Sequence, residues 1–133
     1  MVNLSTMDKV IQGTGFTVRA SKFDFFFGRV TSDPENTKRS LQNLKELNRL
    51  GIDETTGGRD RLLQIFAEGL NAPEVIKYRK PTKHGLNITR KVEAIGTEAT
   101  GAILVCYFYP GGNLDTIPQI TSIIPMIYEE ETP

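Results

Sequence analysis

The chain has 133 residues, with 38% apolar and 24% charged side chains, which suits one domain around one core and neither a disordered nor a fibrous protein. Its 16 Lys and Arg balance 16 Asp and Glu, so attraction to a polyanion must come from a local patch rather than from net charge. A single cysteine and a single histidine exclude a disulfide framework and multi-cysteine or histidine-rich metal sites; the acids do not cluster as in a calcium loop, and no metal or cofactor is expected.

The opening MVNLSTMDKVIQGTGFTV lacks the basic start and continuous apolar core of a signal peptide. The longest apolar runs, near 25–27 and 102–109, are far too short to span a membrane, so a soluble domain without membrane insertion is expected. It can still be part of a longer secreted protein. Residues 1–31 carry the weakest pattern. Gly13 and Gly15 interrupt it, and FTVRA and FDFFFGRV each fit a short strand or an apolar plug, with Phe23, Phe25, Phe26 and Phe27 against the core.

Residues 32–72 read as helical. Ser32 with Glu35 fits a capping box, and Asp33 as cap with Pro34 at the first helical position fits equally well. Leu41, Leu44, Leu47 and Leu50 form an apolar stripe, while Lys45, Glu46, Asn48 and Arg49 look outward. Gly51 supplies a left-handed stop that lets Ile52 fold back on Leu47. A second helix runs from about 58 to 70, with Leu62, Leu63, Phe66 and Leu70 inward, and Asn71-Ala72-Pro73 ends it.

Residues 73–128 change character. EVIKYRK, GLNITRKVEAIG, GAILVCYFYP and PQITSIIPMIY are rich in β-branched and aromatic residues, with turn signals at 81–85, 96–101 and 110–113. Short connections favour antiparallel hairpins, so the expected architecture is α+β: helices first, then about four antiparallel strands. Pro125 makes the last strand an edge or gives it a bulge. Cys106, inside AILVCYFY, is expected to be a buried, inert thiol.

Three constellations offer chemistry. The segment Lys77-Tyr78-Arg79-Lys80-Pro81-Thr82-Lys83-His84 carries four positive charges in eight residues around an aromatic. Strand alternation would put Lys77 and Arg79 on one face and Tyr78 and Lys80 on the other; the segment is either a ridge that tracks phosphates or a solvated hairpin whose lysines protect an edge. Next, Arg90 shares a strand face with Leu86, Ile88 and Val92, where it needs a protein carboxylate such as Glu93 or a bound phosphate; Lys91 lies on the other face with Thr89. Third, Thr121 and Ser122 offer hydroxyls on the last strand. No nucleophile elbow, Walker loop or dinucleotide glycine pattern is present, and no spacing supports a serine-hydrolase triad. Cations, hydroxyls and amides without a metal suit RNA cleavage by its own 2′-hydroxyl, and suit a plain RNA-binding surface equally.

The order of GRVTSDPENTKRSLQNLKELNRLGI, GGRDRLLQIF, ITRKVEAIG and ITSIIPMI resembles the C-terminal toxin domains of filamentous-haemagglutinin-like contact-dependent growth inhibition proteins, the polymorphic toxins, over about 28–127. The motif Asn36-x-x-Arg39-Ser40-x-Gln42-Asn43 and the closing Thr121-Ser122-Ile123-Ile124-Pro125 carry the likeness. The resemblance implies a barnase–EndoU–colicin–RelE-like ribonuclease, carried at the end of a secreted or cell-surface protein and acting in the target-cell cytoplasm. It also implies a cognate immunity protein as partner and RNA, with tRNA one candidate, as substrate. By position it assigns catalytic roles to Glu35, Arg39, Arg90 and Thr121, with Glu35 standing where related domains often have a histidine; His84 is the other candidate base, and a base elsewhere stays open. Arg90 would clamp the phosphate, Thr121 or Ser122 would position it, and Asn36, Lys38, Lys77, Tyr78, Lys83 and Lys91 would bind RNA. A non-enzymatic immunity or RNA-binding module is the alternative, which zero net charge and the acidic Glu129, Glu130 and Glu131 also fit. A deoxyribonuclease is disfavoured because no metal-binding acid cluster is evident.

Overall fold

The computed structural model describes residues 9–128; the acidic run at 129–131 lies outside them. Strands β1 (Val10–Gln12) and β2 (Thr17–Arg19) form a hairpin, followed by helices α1 (Ser21–Phe26), α2 (Pro34–Arg49) and α3 (Gly58–Gly69). Strands β3 (Lys80–Thr82), β4 (Gly85–Ile95), β5 (Thr100–Pro110) and β6 (Gln119–Ile127) complete a six-stranded sheet of order β1-β2-β6-β5-β4-β3. All neighbours are antiparallel except β2 and β6, which run parallel. The architecture is the expected α+β, with two more strands because VIQ and FTVRA join the sheet.

FDFFFG is a helix rather than a strand. Phe23, Phe26 and Phe27 are all buried, and adjacent residues of a strand would point to opposite faces. They meet Phe16 and Phe66, whose rings lie edge to face at 5.7 Å, so an aromatic cluster fills the space between the helices and the sheet. From the sheet side, every second residue of β5, namely Ile103, Val105, Tyr107 and Tyr109, enters the same core.

Helix α2 takes the Asp33 cap and leaves the Ser32 capping box unused: Asp33 Oδ1 accepts the Asn36 amide at 2.8 Å, with Pro34 in the first turn. Its end is the expected glycine stop. Gly51 has φ 80°, the Ile52 amide donates to Leu47 O at 2.9 Å, and the Gly51 amide donates to Asn48 O at 3.0 Å. The leucine stripe needs a correction at its start. Leu47 and Leu50 are buried and Leu44 packs on the core, but Leu41 is 51% exposed. Ser40 points inward in its place, fully buried, donating to Phe25 O at 2.7 Å. In α3, Leu62, Ile65 and Phe66 are buried, while Leu63, and Leu70 just past its end, pack at the margin.

Two further expectations change. EVIKYRK is not a strand: Ile76–Tyr78 form a single 3-10 turn, and β3 covers only the three residues that follow Arg79. Glu74 holds Arg79 through two hydrogen bonds of 2.8 and 2.9 Å, and the Tyr78 amide donates to Val75 O, so the segment is curled and the alternating faces do not exist. Pro125 sits in a strand flanked on both sides, yet β2 pairs only with Gln119 and Ile120 of β6. Beyond them one side of β6 is an open edge, where a missing N–H costs nothing. Cys106 is half-buried, with its Sγ 3.9 Å from Asn87 Oδ1.

Candidate functional site

Side chains at helix positions i, i+3, i+4 and i+7 share a face. In α2 that spacing aligns Arg39, Gln42, Asn43 and Glu46, a polar row, along the flank that faces β6. Two hollows adjoin at Arg39. One, of about 400 Å³, is lined by Ser21, Lys22, Phe25 and Phe26 of α1, by Val30, and by Arg39, Thr121 and Ser122. The other, of about 350 Å³, is lined by the polar row and by Ile123, Ile124 and Pro125. Together they form a groove between α2 and β6, with the Arg39 guanidinium 5.6 Å from the centre of the Phe25 ring. Gln42 Nε2 donates to Glu46 Oε1 along the row.

The β6 wall depends on an irregularity. Cys106 pairs with Ser122 and Tyr107 pairs with Ile120, which leaves Thr121 as an extra residue, a bulge. Regular alternation would send neighbouring hydroxyls to opposite faces, whereas the bulge lets Thr121 and Ser122 line one hollow. Thr121 Oγ1 donates to Cys106 O at 3.4 Å.

Of the residues singled out from the sequence, the fold brings Arg39, Thr121 and Ser122 together. Glu35 is exposed in the first turn of α2 and lines neither hollow. Asn36 closes the cap, its Nδ2 donating to Asp33 Oδ2 at 2.8 Å and Ser32 Oγ at 3.3 Å. Lys38 lines a shallow depression on the other flank of α2, with Thr37 and Leu41. His84 is exposed in the β3–β4 turn, and its amide donates to Thr82 Oγ1 at 3.2 Å. Lys77, Tyr78 and Lys83 stand at that same far edge of the sheet.

Arg90 also lies away from the groove. It pairs with Val105, which pairs with Ile123, so two strand spacings separate it from β6. Its Nη1 donates to Ala72 O at 2.8 Å, just past α3, and its buried Nε has no partner among the described residues. The partner of this inward arginine is thus a carbonyl at a helix end rather than Glu93. Lys91, half-buried, has its Nζ 3.6 Å from Glu93 Oε1 and 5.2 Å from the Tyr128 ring centre. Hydrogen bonding to Tyr128 is the main cause that raises its pKa above the ordinary lysine value.

The groove also contains residues that sequence reasoning missed. Gln42 and Asn43, which belong to the motif behind the resemblance but received no site role, and Glu46 were recoverable, because they keep helical register with Arg39. Ser21, Lys22 and Phe25 were not, because the helical character of α1 was hidden in an apolar run. Among the described residues, no three or more His, Cys, Asp or Glu are grouped to hold a metal ion. No described helix is long and apolar enough to cross a membrane.

Fold and groove define an α+β domain with a cleft between a helix and the bulged end of a strand, where polar side chains stand among apolar ones. No protein-family model matches the chain, and no curated protein matches it. Among solved structures it is similar to a chain of a contact-dependent growth inhibition toxin–immunity protein complex from Klebsiella pneumoniae 342. The TM-score is 0.65 with 22% sequence identity, over 81% of this chain and 97% of that one. The likeness shows a shared fold.

Proposed function

We propose that this chain is the toxin domain of a contact-dependent growth inhibition protein and cleaves RNA in the α2–β6 groove without a metal ion. The observation that carries this is the convergence of Arg39, Thr121 and Ser122 in one hollow that Glu46, Gln42 and Asn43 extend. The sequence resemblance and the fold shared with a chain of a toxin–immunity complex support it.

In such a reaction the ribose 2′-oxygen attacks the adjacent phosphorus and the bond from phosphorus to the 5′-oxygen breaks. The products are a 2′,3′-cyclic phosphate and a 5′-hydroxyl. Glu46, the one carboxylate lining the groove among the described residues, takes the proton from the 2′-hydroxyl. Lys22 returns a proton to the leaving oxygen from the α1 side. Arg39, where the hollows meet, stabilises the charge that builds on the phosphorane, and the Thr121 and Ser122 hydroxyls hold the phosphate oxygens. Phe25 offers a ring edge or face to a base. Thr121 keeps the phosphate-positioning role that the resemblance implies; the clamp passes from Arg90 to Arg39, and the base from Glu35 or His84 to Glu46.

The domain would act in the target-cell cytoplasm after delivery from a larger surface protein, with tRNA one candidate substrate, and an immunity protein would silence it by covering the groove. The test is incubation of purified protein with total RNA in EDTA, together with expression in a bacterium. Cleaved RNA with 2′,3′-cyclic phosphate ends and arrested growth are expected. Intact RNA and normal growth would instead favour the immunity role, which the shared fold also fits because the similar complex contains both kinds of protein.

A further inference from the structure

The groove leaves the basic segment at the β3 edge of the sheet unused. Between 74 and 84 the only carboxylate is Glu74, and Arg79 occupies it with two hydrogen bonds. Lys77, Lys80 and Lys83 are all exposed, and none forms an ion pair among the described residues. Tyr78, 44% exposed, stands among them with the Lys77 ammonium 5.1 Å from its ring centre, and Ile76 beside it is 70% exposed. Edge lysines often serve only to discourage strand pairing. That explanation fits poorly here. β3 is three residues long and contains Pro81, so it is already a weak template, and protective lysines would not be set beside a bare tyrosine and isoleucine.

We infer that the Lys77–Lys80–Lys83 edge is an exosite for the phosphate backbone of a folded RNA, with Tyr78 as a stacking platform. The inference rests on the RNA-cleaving role proposed above. Cations interleaved with an exposed aromatic are what a sequence-tolerant nucleic-acid surface requires. The sheet order puts β3 three strand spacings from β6, about 14 Å across the sheet. A dinucleotide seated in the groove leaves the exosite empty, whereas a folded RNA engages both. The edge would therefore govern capture of large substrates and take no part in bond cleavage. On a chain of zero net charge, it concentrates the local positive field that whole-molecule charge does not supply.

The test uses the full chain and a triple variant, Lys77→Ala with Lys80→Ala and Lys83→Ala, in which only exposed side chains change. Binding of a folded 2′-O-methyl RNA hairpin, which cannot be cleaved, is measured across a salt series. The variant is expected to bind at least about 10-fold more weakly near 0.1 M salt, with the slope of log affinity against log salt reduced by about 2 to 3, one phosphate per lysine. Cleavage of a dinucleotide should keep its kcat/KM. An unchanged salt slope, or an equal loss on the dinucleotide, overturns the exosite, as does a variant that loses a protein partner while binding the hairpin normally. If the wild-type protein cleaves no RNA at all, the catalytic proposal fails while the hairpin measurement still decides the exosite.

Discussion

Arg39 of α2 and Thr121 of β6 line one hollow, and a bulge is what makes the meeting possible. Without the extra residue, Thr121 and Ser122 would alternate across the sheet, and only one could share a wall with Arg39. The bulge lies where β6 leaves the short parallel contact with β2, so the hydroxyl pair sits beside a strand edge that is partly open. The chemistry of the groove is thereby tied to a local break in the most regular part of the fold.

Replacement of Arg39 by Ala should lower the single-turnover rate of RNA cleavage by about 10² to 10³, the usual cost of removing one transition-state donor. Arg39 is exposed and its described contact is the distant one over Phe25, so stability should change by no more than about 0.5 kcal/mol. Arg39→Lys should recover part of the rate, because the charge survives and the two-pronged geometry does not. Denaturant midpoints equal to wild type, paired with a lost rate, are the expected signature. An active Arg39→Ala protein would remove the cation from the mechanism.

Glu46→Gln should slow cleavage by about 10² to 10⁴ while leaving affinity for an uncleavable RNA near wild type. The amide keeps the shape of the side chain and can still bond to Gln42, so the helix surface stays intact. Single-turnover rates and equilibrium binding, measured on the same preparation, separate the two effects. A Glu35→Gln protein serves as the comparison and should remain active, since Glu35 lies outside the groove.

Much of this was legible where local spacing decides structure. Asp33, Pro34, Gly51 and the leucines between them are contiguous signals, and both ends of α2 follow from them. The long strands β4 and β5 also announce themselves by composition and turn residues. What stayed hidden was non-local. Only tertiary packing shows that Phe26 and Phe27 are both buried, hence that α1 is a helix, and only pairing partners reveal the parallel β2–β6 contact. At the site, residue chemistry pointed to Thr121 and Ser122, and the resemblance to Arg39, which the fold places in the same hollow. Residue chemistry also pointed to Arg90, because an arginine in an apolar row suits a helix-end carbonyl as well as a phosphate.

Arg90 therefore gives a prediction that separates two roles. Its Nη1 hydrogen bond to Ala72 O ties the segment after α3 to β4, and its Nε, without a partner among the described residues, already offsets part of that gain. Arg90→Met should cost about 1 to 2 kcal/mol of stability, the net of losing a charged hydrogen bond and relieving an orphaned donor. The folded fraction should cleave RNA with unchanged constants. Full stability with abolished cleavage would show instead that Arg90 is the phosphate clamp that the sequence resemblance implies.

The Tyr107 hydroxyl donates to Phe66 O at 2.7 Å inside the core, and burial raises its pKa above the ordinary 10.0. Below pH 10 the phenol is neutral in both folded and unfolded chains. Above it the unfolded chain releases a proton that the folded chain retains, so stability falls as pH rises. Tyr107→Phe should cost about 1 to 2 kcal/mol at neutral pH through the orphaned carbonyl. The difference from wild type should then shrink by about 1.4 kcal/mol per unit above pH 10. Urea titrations at pH 7, 10 and 11 check this, and parallel pH dependences for the two proteins would contradict it.

The same hydroxyl constrains α3 from the other side. A Cβ on Gly69 would stand 2.1 Å from Tyr107 Oη and 3.2 Å from its Cζ, so the helix approaches the sheet here only because the side chain is absent. Gly69 is the last residue of α3 and its backbone φ is not left-handed, so the objection to a larger residue is contact rather than backbone strain. Gly69→Ala alone should therefore cost about 1 to 3 kcal/mol as overpacking. Removing the hydroxyl takes away the closest clash and leaves two tight contacts, the ring carbon and Val92 Cγ2 at 3.2 Å each, which need give by only a few tenths of an ångström. The double variant Gly69→Ala with Tyr107→Phe should thus be less destabilised than the sum of its parts, by at least about 1 kcal/mol. A double-mutant cycle of unfolding free energies measures that coupling directly. Additive losses would mean that α3 shifts away from β5 to admit the methyl group, and that the close approach is not held by Tyr107.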